Sequence, residues 1–272
     1  MQRITSITPT LCALMEVELP ELSTDEVIPA VVETKRSIIG DPPVEKCFIY
    51  APDAIGEAIY RDYSTEFEAV TRLAPMQVVL NSVMPTVTPV CFASMFTGAP
   101  PEAHGISKYE KPVLGCDTLF DALLREGKRV AIVAVRESSI SLIFRNRAMS
   151  YFIEEYDGQV NDRLLQLFQD GGHDLVLAYN QEYDDTMHRT TPRSPEALRA
   201  MRNHLESFEH LAEAFLNLYE GSNRLVVFSP DHGAHTNPET GRGAHGLDIP
   251  EDMEVRSFWG LYGMSIQHAQ SK

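Results

Sequence analysis

Short apolar runs alternate with longer segments of helical periodicity along this chain. The runs are apolar at consecutive positions rather than at every second one, and they cover residues 46–50, 77–80, 129–135, 174–179 and 224–229. Between them, apolar residues and turn signals predict helices over 57–73, 88–96, 118–127 and 195–219, the last with a period near 3.6. Strands that are apolar on both faces and separated by helices indicate an α/β fold, with a mainly parallel central sheet and helices on both faces.

No Pro-, Gly- or Ser-rich linker long enough to separate two domains interrupts this alternation. We therefore interpret residues 46–272 as a single α/β domain. The acidic stretch at 16–45 is the least regular part of the pattern. The sequence accordingly predicts that residues 1–45 form an irregular N-terminal extension or flap.

The composition is that of a folded globular protein, with 43% hydrophobic and 23% charged residues in a chain of 272. Its 39 acidic residues outnumber its 23 basic residues, and the formal net charge is −16. An acidic surface without a basic run repels a phosphate backbone, which argues against a nucleic-acid polymer as partner. A small anionic ligand would bind only where local cations cancel this field.

The four cysteines show neither CxxC spacing nor the pattern of a small disulfide scaffold. They are Cys12, Cys47, Cys91 and Cys116. This usage predicts buried thiols in a reducing compartment. The apolar stretch at 11–15 is too short and too polar for a signal peptide. No run approaches the roughly 20 apolar residues of a membrane span. We expect a soluble, cytoplasmic protein without a membrane partner.

Side chains of the type that bind metals follow three of the predicted strands, and one further histidine comes later in an Ala-His-Gly sequence. In chain order these residues are Asp53, Asp184, His188, Asp231, His232 and His245. The carboxyl ends of parallel strands meet at one edge of the sheet, where ligands bind. Carboxylates and imidazoles that converge there would suit Zn²⁺ or Mn²⁺.

Each of these features also has an ordinary structural interpretation. An aspartate after a strand can cap a helix, and the Asp-His-Gly sequence can be a turn. Asp184 and His188 can form a surface pair one helical turn apart, and His245 can be a solvated loop histidine. Because independent accidents would not all fall at one edge of the sheet, we favour the metal site.

Thr88 lies at the start of the helix predicted over 88–96. A threonine at that position is a favoured N-cap. The alternative is a nucleophile at a helix N-terminus, where unpaired backbone N–H groups favour an anion such as phosphate. A threonine hydroxyl is a poor nucleophile at neutral pH unless a base or a metal lowers its pKa. A metal site at the same edge of the sheet would supply that activation.

Taken in order, these motifs resemble those of the alkaline phosphatase superfamily. The order is Asp53, the Thr88 segment with its TG and PPEAHGI continuation at 97–106, then DDTMH, SPDHG and AHG. The closest pattern is that of the type I phosphodiesterase/nucleotide pyrophosphatase branch and the related phosphonoacetate hydrolases. The resemblance spans about residues 46–263.

The resemblance implies two divalent metal ions, Zn or Mn, and a threonine nucleophile. One metal would be held by Asp184, His188 and His245, and the other by Asp53, Asp231 and His232, with Thr88 at the second metal. It also implies a two-step in-line displacement, in which Thr88 attacks phosphorus and water then cleaves the phosphothreonine. Thr88 is preferred to Thr86 for its nine-residue separation from Thr97, and Asp184 to Asp185 for its four-residue step to His188.

Two positions depart from the family pattern. The glycine that commonly follows the first aspartate is Ala54, and the asparagine that nucleotide pyrophosphatases place three residues after the nucleophile is Cys91. A thiol is a weak hydrogen-bond donor, so Cys91 is a weak candidate for contacting the substrate. Four aromatic residues are candidates either for stacking on a substrate or for ordinary packing: Phe144, Tyr151, Phe152 and Tyr156.

The sequence therefore predicts a metal-dependent hydrolase of phosphate esters, of the phosphodiester or nucleotide pyrophosphate type. Its substrate would be a small anionic phosphate or phosphonate ester. The alternatives are a phosphonate or phosphomonoester hydrolase, and a non-catalytic metal-binding member of the superfamily. The length leaves little room for the inserted cap domain of the superfamily's phosphomutases, which favours a hydrolase.

Overall fold

The computed structural model of the chain describes residues 2–264. The strands are β1 (Gln2–Arg3), β2 (Lys46–Pro52), β3 (Met76–Asn81), β4 (Val130–Val135), β5 (Ser150–Glu154), β6 (Leu175–Asn180), β7 (Arg224–Phe228), β8 (His235–Thr236), β9 (Gly243–Ala244) and β10 (Glu254–Tyr262). The α-helices are α1 (Ile7–Met15), α2 (Pro29–Ile38), α3 (Glu57–Tyr63), α4 (Glu68–Leu73), α5 (Thr88–Thr97), α6 (Pro101–His104), α7 (Leu119–Arg125), α8 (Ser139–Ile143), α9 (Asp157–Asp170), α10 (Glu182–Arg189), α11 (Pro195–Leu218) and α12 (Pro250–Met253).

Eight of the described strands form one sheet in the order β1-β3-β10-β7-β2-β6-β4-β5. Neighbouring strands run parallel except at β10, which is antiparallel to both β3 and β7. The other two, β8 and β9, form a short antiparallel pair. The predicted α/β fold with a mainly parallel central sheet is confirmed.

Both faces of the sheet are covered by helices, which explains why its strands are apolar at consecutive positions. In β2, Cys47 and Ile49 belong to a core shared with α1, α5 and α7. Phe48 and Tyr50 point the other way, into a core shared with α9 and α11. Each large apolar side chain buried in this way contributes roughly 1.5–3 kcal/mol of transfer free energy.

The N-terminal residues are not the irregular flap that the sequence predicts. β1 pairs with β3 in the main sheet, and every residue of α1 except Ala13 is buried. A helix that is buried on nearly all sides has no polar face, so its period is invisible in the sequence. Helical periodicity therefore gave no signal for this part of the core.

Other segments also differ from the sequence prediction. The helix predicted over 57–73 is divided into α3, a 3₁₀ turn at Ser64–Phe67, and α4. Strands β5 and β10 have no counterpart among the predicted runs. In β10 the charged residues Glu254 and Arg256 interrupt the apolar pattern, because their side chains pair with charges beside the sheet.

All four cysteines are free thiols; Cys12, Cys47 and Cys91 are buried and Cys116 is half-buried. Within residues 2–264 no helix combines the length and the apolarity needed to cross a bilayer.

Candidate active site

Four strands of the sheet end at the same edge, and the segments that follow them carry the predicted site residues. Asp53 directly follows β2, and Asp231 and His232 follow β7. The segment after β3 leads to Thr88 at the first position of α5. The segment after β6 leads into α10, which carries two further candidates one turn apart. The topology alone thus collects residues that are far apart in sequence.

Asp53, Asp231 and His232 form one group, here called the inner triplet, whose ligand atoms all lie within 4.8 Å of one another. The His232 Nε2 atom lies 3.5 Å from Asp53 Oδ1 and 3.3 Å from Asp231 Oδ2. All three side chains are buried. Asp53 Oδ1, Asp231 Oδ2 and His232 Nε2 are buried polar atoms without a hydrogen-bond partner. A buried polar atom without a hydrogen-bond partner destabilises the folded state unless another group or an ion contacts it.

Asp184, His188 and His245 form the second group, the outer triplet, which meets the same distance limit. Asp184 Oδ1 lies 3.3 Å from His188 Nε2 and 3.5 Å from His245 Nε2. This carboxylate oxygen is also buried and without a hydrogen-bond partner. The two triplets are the same sets that the family resemblance implies, and their role as ligands stays a prediction.

The imidazoles of both triplets are held in one orientation by the backbone. In each ring the Nδ1 atom contacts a carbonyl oxygen: that of Gly233 for His232 (3.0 Å), Gly243 for His188 (3.1 Å) and Thr86 for His245 (2.7 Å). Because a carbonyl only accepts, Nδ1 carries the hydrogen, and the Nε2 lone pair of the neutral ring faces the site. This arrangement is typical of metal-binding histidines.

Two of these Nε2 atoms, those of His188 and His245, lie 3.0 Å apart. Two lone pairs at that distance repel each other, so a cation is required between them, either a proton or a metal ion. Nitrogen and carboxylate oxygen donors in this number are the ligands that Zn²⁺ and Mn²⁺ accept. The residues present therefore fit two divalent cations.

The carboxylates of the two triplets differ in their electrostatics. Burial, with the neighbouring carboxylates Asp231 and Asp184, raises the pKa of Asp53 well above its usual value. Burial likewise raises the pKa of Asp231. For Asp184 burial acts in the same direction, but the nearby imidazoles of His188, His245 and His232 outweigh it and lower its pKa. Burial lowers the pKa of His232 to about 3.

Thr88 lies beside the inner triplet, with its hydroxyl donating to Asp53 Oδ2 at 3.3 Å. The hydroxyl of Tyr179, at the end of β6, donates to the same oxygen. Thr86, the alternative nucleophile, is turned away: its hydroxyl accepts the backbone N–H of Gly246 at 2.8 Å. The structure thus favours Thr88 over Thr86 by position. Tyr179 was not singled out from the sequence, because a tyrosine at the end of an apolar strand gives no distinct signal.

The glycines and the alanine of the motifs have local structural reasons. A Cβ on Gly233 would lie 2.0 Å from the carbonyl oxygen of Glu251, so the Asp-His-Gly sequence needs its glycine for close backbone approach. Ala54 replaces a common glycine at a left-handed φ of 63°. This conformation costs a non-glycine residue roughly 1–2 kcal/mol, and it directs the Ala54 N–H to Asp231 Oδ1 at 3.3 Å.

Cys91 is fully buried one turn into α5 and does not line the cavity at Thr88. Its sulfur lies 3.2 Å from the hydroxyl of Ser82, which donates to the backbone oxygen of Asp231 at 2.6 Å. Burial raises the pKa of the thiol well above its usual value. In this position Cys91 supports the loop of the inner triplet.

A cavity of about 520 Å³ opens above the two triplets, with Thr88 on its wall. Its rim carries two cations that the sequence did not assign, Lys111 and Arg136, as well as Tyr109. The Lys111 ammonium donates to the carbonyl oxygen of Glu137 at 2.7 Å, and Arg136 pairs with Glu155 on the surface. The rim thus supplies part of the local positive charge that a small anion needs in this acidic protein.

The aromatic candidates from the sequence lie elsewhere. Phe144 is buried in the core, and Tyr151 donates to the carbonyl oxygen of Phe144 at 2.8 Å. Among the described residues that line the cavity at Thr88, neither these two nor Phe152 and Tyr156 occur.

A larger surface cavity, of about 650 Å³, lies away from the triplets. Two of its arginines pair with carboxylates, Arg147 with Asp121 at 2.8 Å and Arg125 with Asp117 at 2.6 Å. Neither Thr88 nor any triplet residue lines this cavity, so the smaller cavity above the triplets is the candidate active site.

His204 on α11 supports α10 from behind the site. Its Nε2 atom accepts the backbone N–H of Tyr183 at 3.1 Å, so Nδ1 carries the hydrogen and donates to the hydroxyl of Tyr50 at 3.0 Å. Asp157 Oδ2 lies 3.9 Å from Nε2, but because that nitrogen carries no proton the contact is not an ion pair. Burial lowers the pKa of His204 to about 4.

Replacing His204 with glutamine should therefore reduce the amount by which the free energy of unfolding falls at acid pH. The folded-state pKa of about 4 lies below the ordinary value of 6.5, so the unfolded chain binds more protons between these values. The neutral His204 contributes fully to the free energy of unfolding above pH 6.5. As the pH falls towards 4 this contribution is lost, which lowers the free energy of unfolding by about 3 kcal/mol. Denaturant unfolding at several pH values should show the variant gaining on the wild type by that amount, with no further change above pH 7.

With this geometry established, comparison with known proteins identifies the family. The sequence model of the type I phosphodiesterase/nucleotide pyrophosphatase family matches residues 76–271, well over half of the chain. The chain belongs to this family. The matched range contains Thr88 and all the triplet residues except Asp53, which precedes it. The alkaline phosphatase superfamily resemblance predicted from the motifs is confirmed. No curated protein matches the chain.

Solved structures with the same fold include members of both predicted branches. Murine ectonucleotide pyrophosphatase/phosphodiesterase 5 has a TM-score of 0.60 at 15% identity, over 72% of this chain and 59% of that one. An inactive threonine-to-alanine form of that protein, in complex with AMP, scores 0.61 at 14% identity over the same shares. Phosphonoacetate hydrolase from Sinorhizobium meliloti 1021, in complex with phosphonoformate, scores 0.55 at 18% identity, over 75% of this chain and 61% of that one.

The chain thus spans about three fifths of the length of the solved structures it matches. At these identities the likeness establishes the fold. Membership of the phosphodiesterase/nucleotide pyrophosphatase family rests on the sequence match over residues 76–271, and members of this family are metal-dependent. The described residues provide two candidate metal-binding groups.

Proposed function

We propose that this protein is a metal-dependent phosphodiesterase or nucleotide pyrophosphatase that uses Thr88 as its nucleophile and two divalent cations, Zn²⁺ or Mn²⁺. The observation that carries the proposal is the convergence of imidazole Nε2 atoms and unpaired carboxylate oxygens beside the Thr88 hydroxyl. A purely structural cluster would satisfy these atoms with one another or with backbone groups.

The inner triplet would hold the cation nearest Thr88, and the outer triplet would hold the other. Cations bound there would neutralise charge on the attacking, leaving and nonbridging oxygens of phosphorus. The protein itself supplies and positions the attacking oxygen. Thr88 presents its Oγ1 to the cavity from the first position of α5, where the helix N-terminus favours an anion.

Asp53 and Tyr179 complete the surroundings of the nucleophile. Asp53 Oδ2 accepts hydrogen bonds from both the Thr88 and the Tyr179 hydroxyls, which holds this oxygen in place and leaves Oδ1 for a cation. Burial and the Asp53 charge raise the pKa of Tyr179 well above its usual value. Tyr179 therefore stays protonated and remains a donor when Thr88 loses its proton.

The rim of the cavity supports a substrate with a negative charge beyond the reacting phosphorus. Lys111 and Arg136 line the cavity from the segments that follow α6 and β4. The matched structures contain AMP, phosphonoformate or phosphonoacetate. Each of these ligands carries a phosphorus oxyanion and a second chemical group. We therefore include phosphonate hydrolysis as the second candidate activity.

Metal analysis combined with a substrate panel tests this proposal. Protein purified without chelator should contain about two divalent metal ions per chain and should cleave bis-p-nitrophenyl phosphate. A chelator should abolish cleavage, and Zn²⁺ or Mn²⁺ should restore it. p-Nitrophenyl phosphate, a nucleotide diester and phosphonoacetate serve to rank the activities. Metal binding without turnover of any of them would favour the non-catalytic alternative, and absence of metal under all conditions would refute the ligand assignment.

A further inference from the structure

Helix α10 carries two of the three ligands of the outer triplet, yet its start has no local cap. The first N–H groups of any helix lack partners within the helix, and the N-cap residue Gln181 makes no side-chain capping bond. Side chains of other helices accept these N–H groups instead. Asp157, the first residue of α9, accepts from Gln181 at 3.1 Å on both oxygens and from Glu182 at 2.9 Å. His204 of α11 accepts from Tyr183 at 3.1 Å.

Three consecutive amides before Asp184 are thus held by two side chains that do not touch either triplet. The arrangement matters because α10 has only eight residues. An isolated helix of that length is unstable in water, so its position depends on tertiary contacts. Asp184 and His188 can keep their common geometry only while the start of this helix is fixed.

His204 also connects the two halves of the site. Its Nδ1–H group donates to the hydroxyl of Tyr50 on β2, and β2 leads directly into Asp53 of the inner triplet. One buried imidazole therefore joins the helix that carries the outer triplet to the strand that carries the inner one.

We propose that His204 and Asp157 are positioning residues that set the metal affinity of the outer triplet by fixing the start of α10. This inference rests on the proposed function, since it takes the outer triplet to be a metal site. Residues that orient ligands from behind typically change metal affinity by about 10- to 100-fold when replaced. The effect is expected on the outer triplet alone, because no ligand of the inner triplet lies on α10.

The test measures each triplet by itself. In a Asp231→Asn background the outer triplet remains complete, and in a His188→Ala background the inner triplet remains complete. Co²⁺ is titrated into the metal-free forms, and its visible absorption reports binding to each site. His204→Leu, which removes both hydrogen bonds, and Asp157→Asn, which removes charge and part of the accepting capacity, are then added to each background.

His104 provides a closely matched control. It is also buried, also accepts a backbone N–H, that of Ile106 at 3.2 Å, and also contacts a hydroxyl, that of Ser94 at 2.8 Å. Burial lowers its pKa to about 4, as for His204. It lies on α6 and holds no part of α10. His104→Leu therefore loses comparable interactions without disturbing the outer triplet.

We expect His204→Leu and Asp157→Asn to weaken Co²⁺ binding to the outer triplet by about tenfold or more, and to leave the inner triplet within about threefold. His204→Gln, which keeps one acceptor and one donor, should restore most of the affinity. His104→Leu should leave both sites within about threefold. If His204→Leu does not fold, the milder Asp157→Asn decides.

Equal weakening of both triplets, or no weakening of either, would overturn the inference and reduce these residues to a role in stability. Failure of the Asp231→Asn background to bind any Co²⁺ would be a different result. It would refute the outer triplet as a metal site and, with it, the proposed function.

Discussion

Thr88→Ala is expected to lower kcat/KM for diester hydrolysis by at least about a thousandfold, because it removes the oxygen that would attack phosphorus in the first step. Metal content and melting temperature should remain near those of the wild type. Among the residues that the structure describes, the Thr88 hydroxyl makes one hydrogen bond, to Asp53, which also accepts from Tyr179. The measurement is steady-state hydrolysis of bis-p-nitrophenyl phosphate beside metal analysis of the same preparation.

Two neighbouring variants sharpen this prediction. Thr88→Ser keeps a hydroxyl at the same carbon and should retain measurable turnover. Thr86→Ala removes a hydroxyl two residues away that accepts the Gly246 N–H, and its effect on kcat should be far smaller. If Thr86→Ala abolished turnover while Thr88→Ala did not, the nucleophile assignment would be wrong.

Asp231→Asn is expected to change the melting temperature in opposite directions with and without metal. In the metal-loaded protein it removes one ligand of the inner triplet and with it the stabilisation that a bound ion gives by mass action. This is about 2.7 kcal/mol for an ion at a hundred times its Kd. In a protein of this size the melting temperature should fall by about 5–10 °C.

In the metal-free protein the same substitution should raise the melting temperature. Burial raises the pKa of Asp231, so the folded state favours the protonated carboxyl. Protonated Asp231 contributes fully to the free energy of unfolding when the pH is below 3.8, the ordinary pKa of the group. This contribution is lost as the pH rises towards the raised pKa of the folded state. Asparagine resembles the protonated form at every pH, so its advantage should grow as the pH rises from about 4. Thermal melts at pH 5 and pH 8, with and without chelator, measure both effects, and a variant that is less stable in all four conditions would contradict the prediction.

The parallel part of the sheet was predictable because its strands are apolar on both faces. Five runs corresponding to β2, β3, β4, β6 and β7 could be identified from their β-branched and aromatic residues alone. Strand β10 was not predicted because Glu254 and Arg256 give it a mixed pattern of charged and apolar residues, although its centre is as buried as those of the other strands. α1 escaped for the opposite reason, since it has almost no polar position to reveal a period.

The convergence of the triplet residues at one edge of the sheet was predictable because chemistry restricts their residue types, and topology places the carboxyl ends of parallel strands together. Their division into two sets came from the family resemblance. The residues that hold the triplets were not predictable. Asp157 and His204 act on backbone N–H groups of a distant segment, and nothing in the sequence marks which amides lack partners. Tyr179, Lys111 and Arg136 reach the cavity only through the packing of separate segments.

The position of β10 has a consequence for how the chain folds. It is the last strand of the described chain to be synthesised, yet it lies between β3 and β7. β3 leads to the segment of Thr88 and β7 leads to Asp231. A nascent chain that lacks residues 254–262 has two unpaired strand edges where Thr88 and the inner triplet should meet, and open edges of this kind are prone to aggregation. The strands that lead to Thr88 and Asp231 are therefore joined through a common neighbour only after β10 has been synthesised, and truncations within β10 should yield insoluble protein.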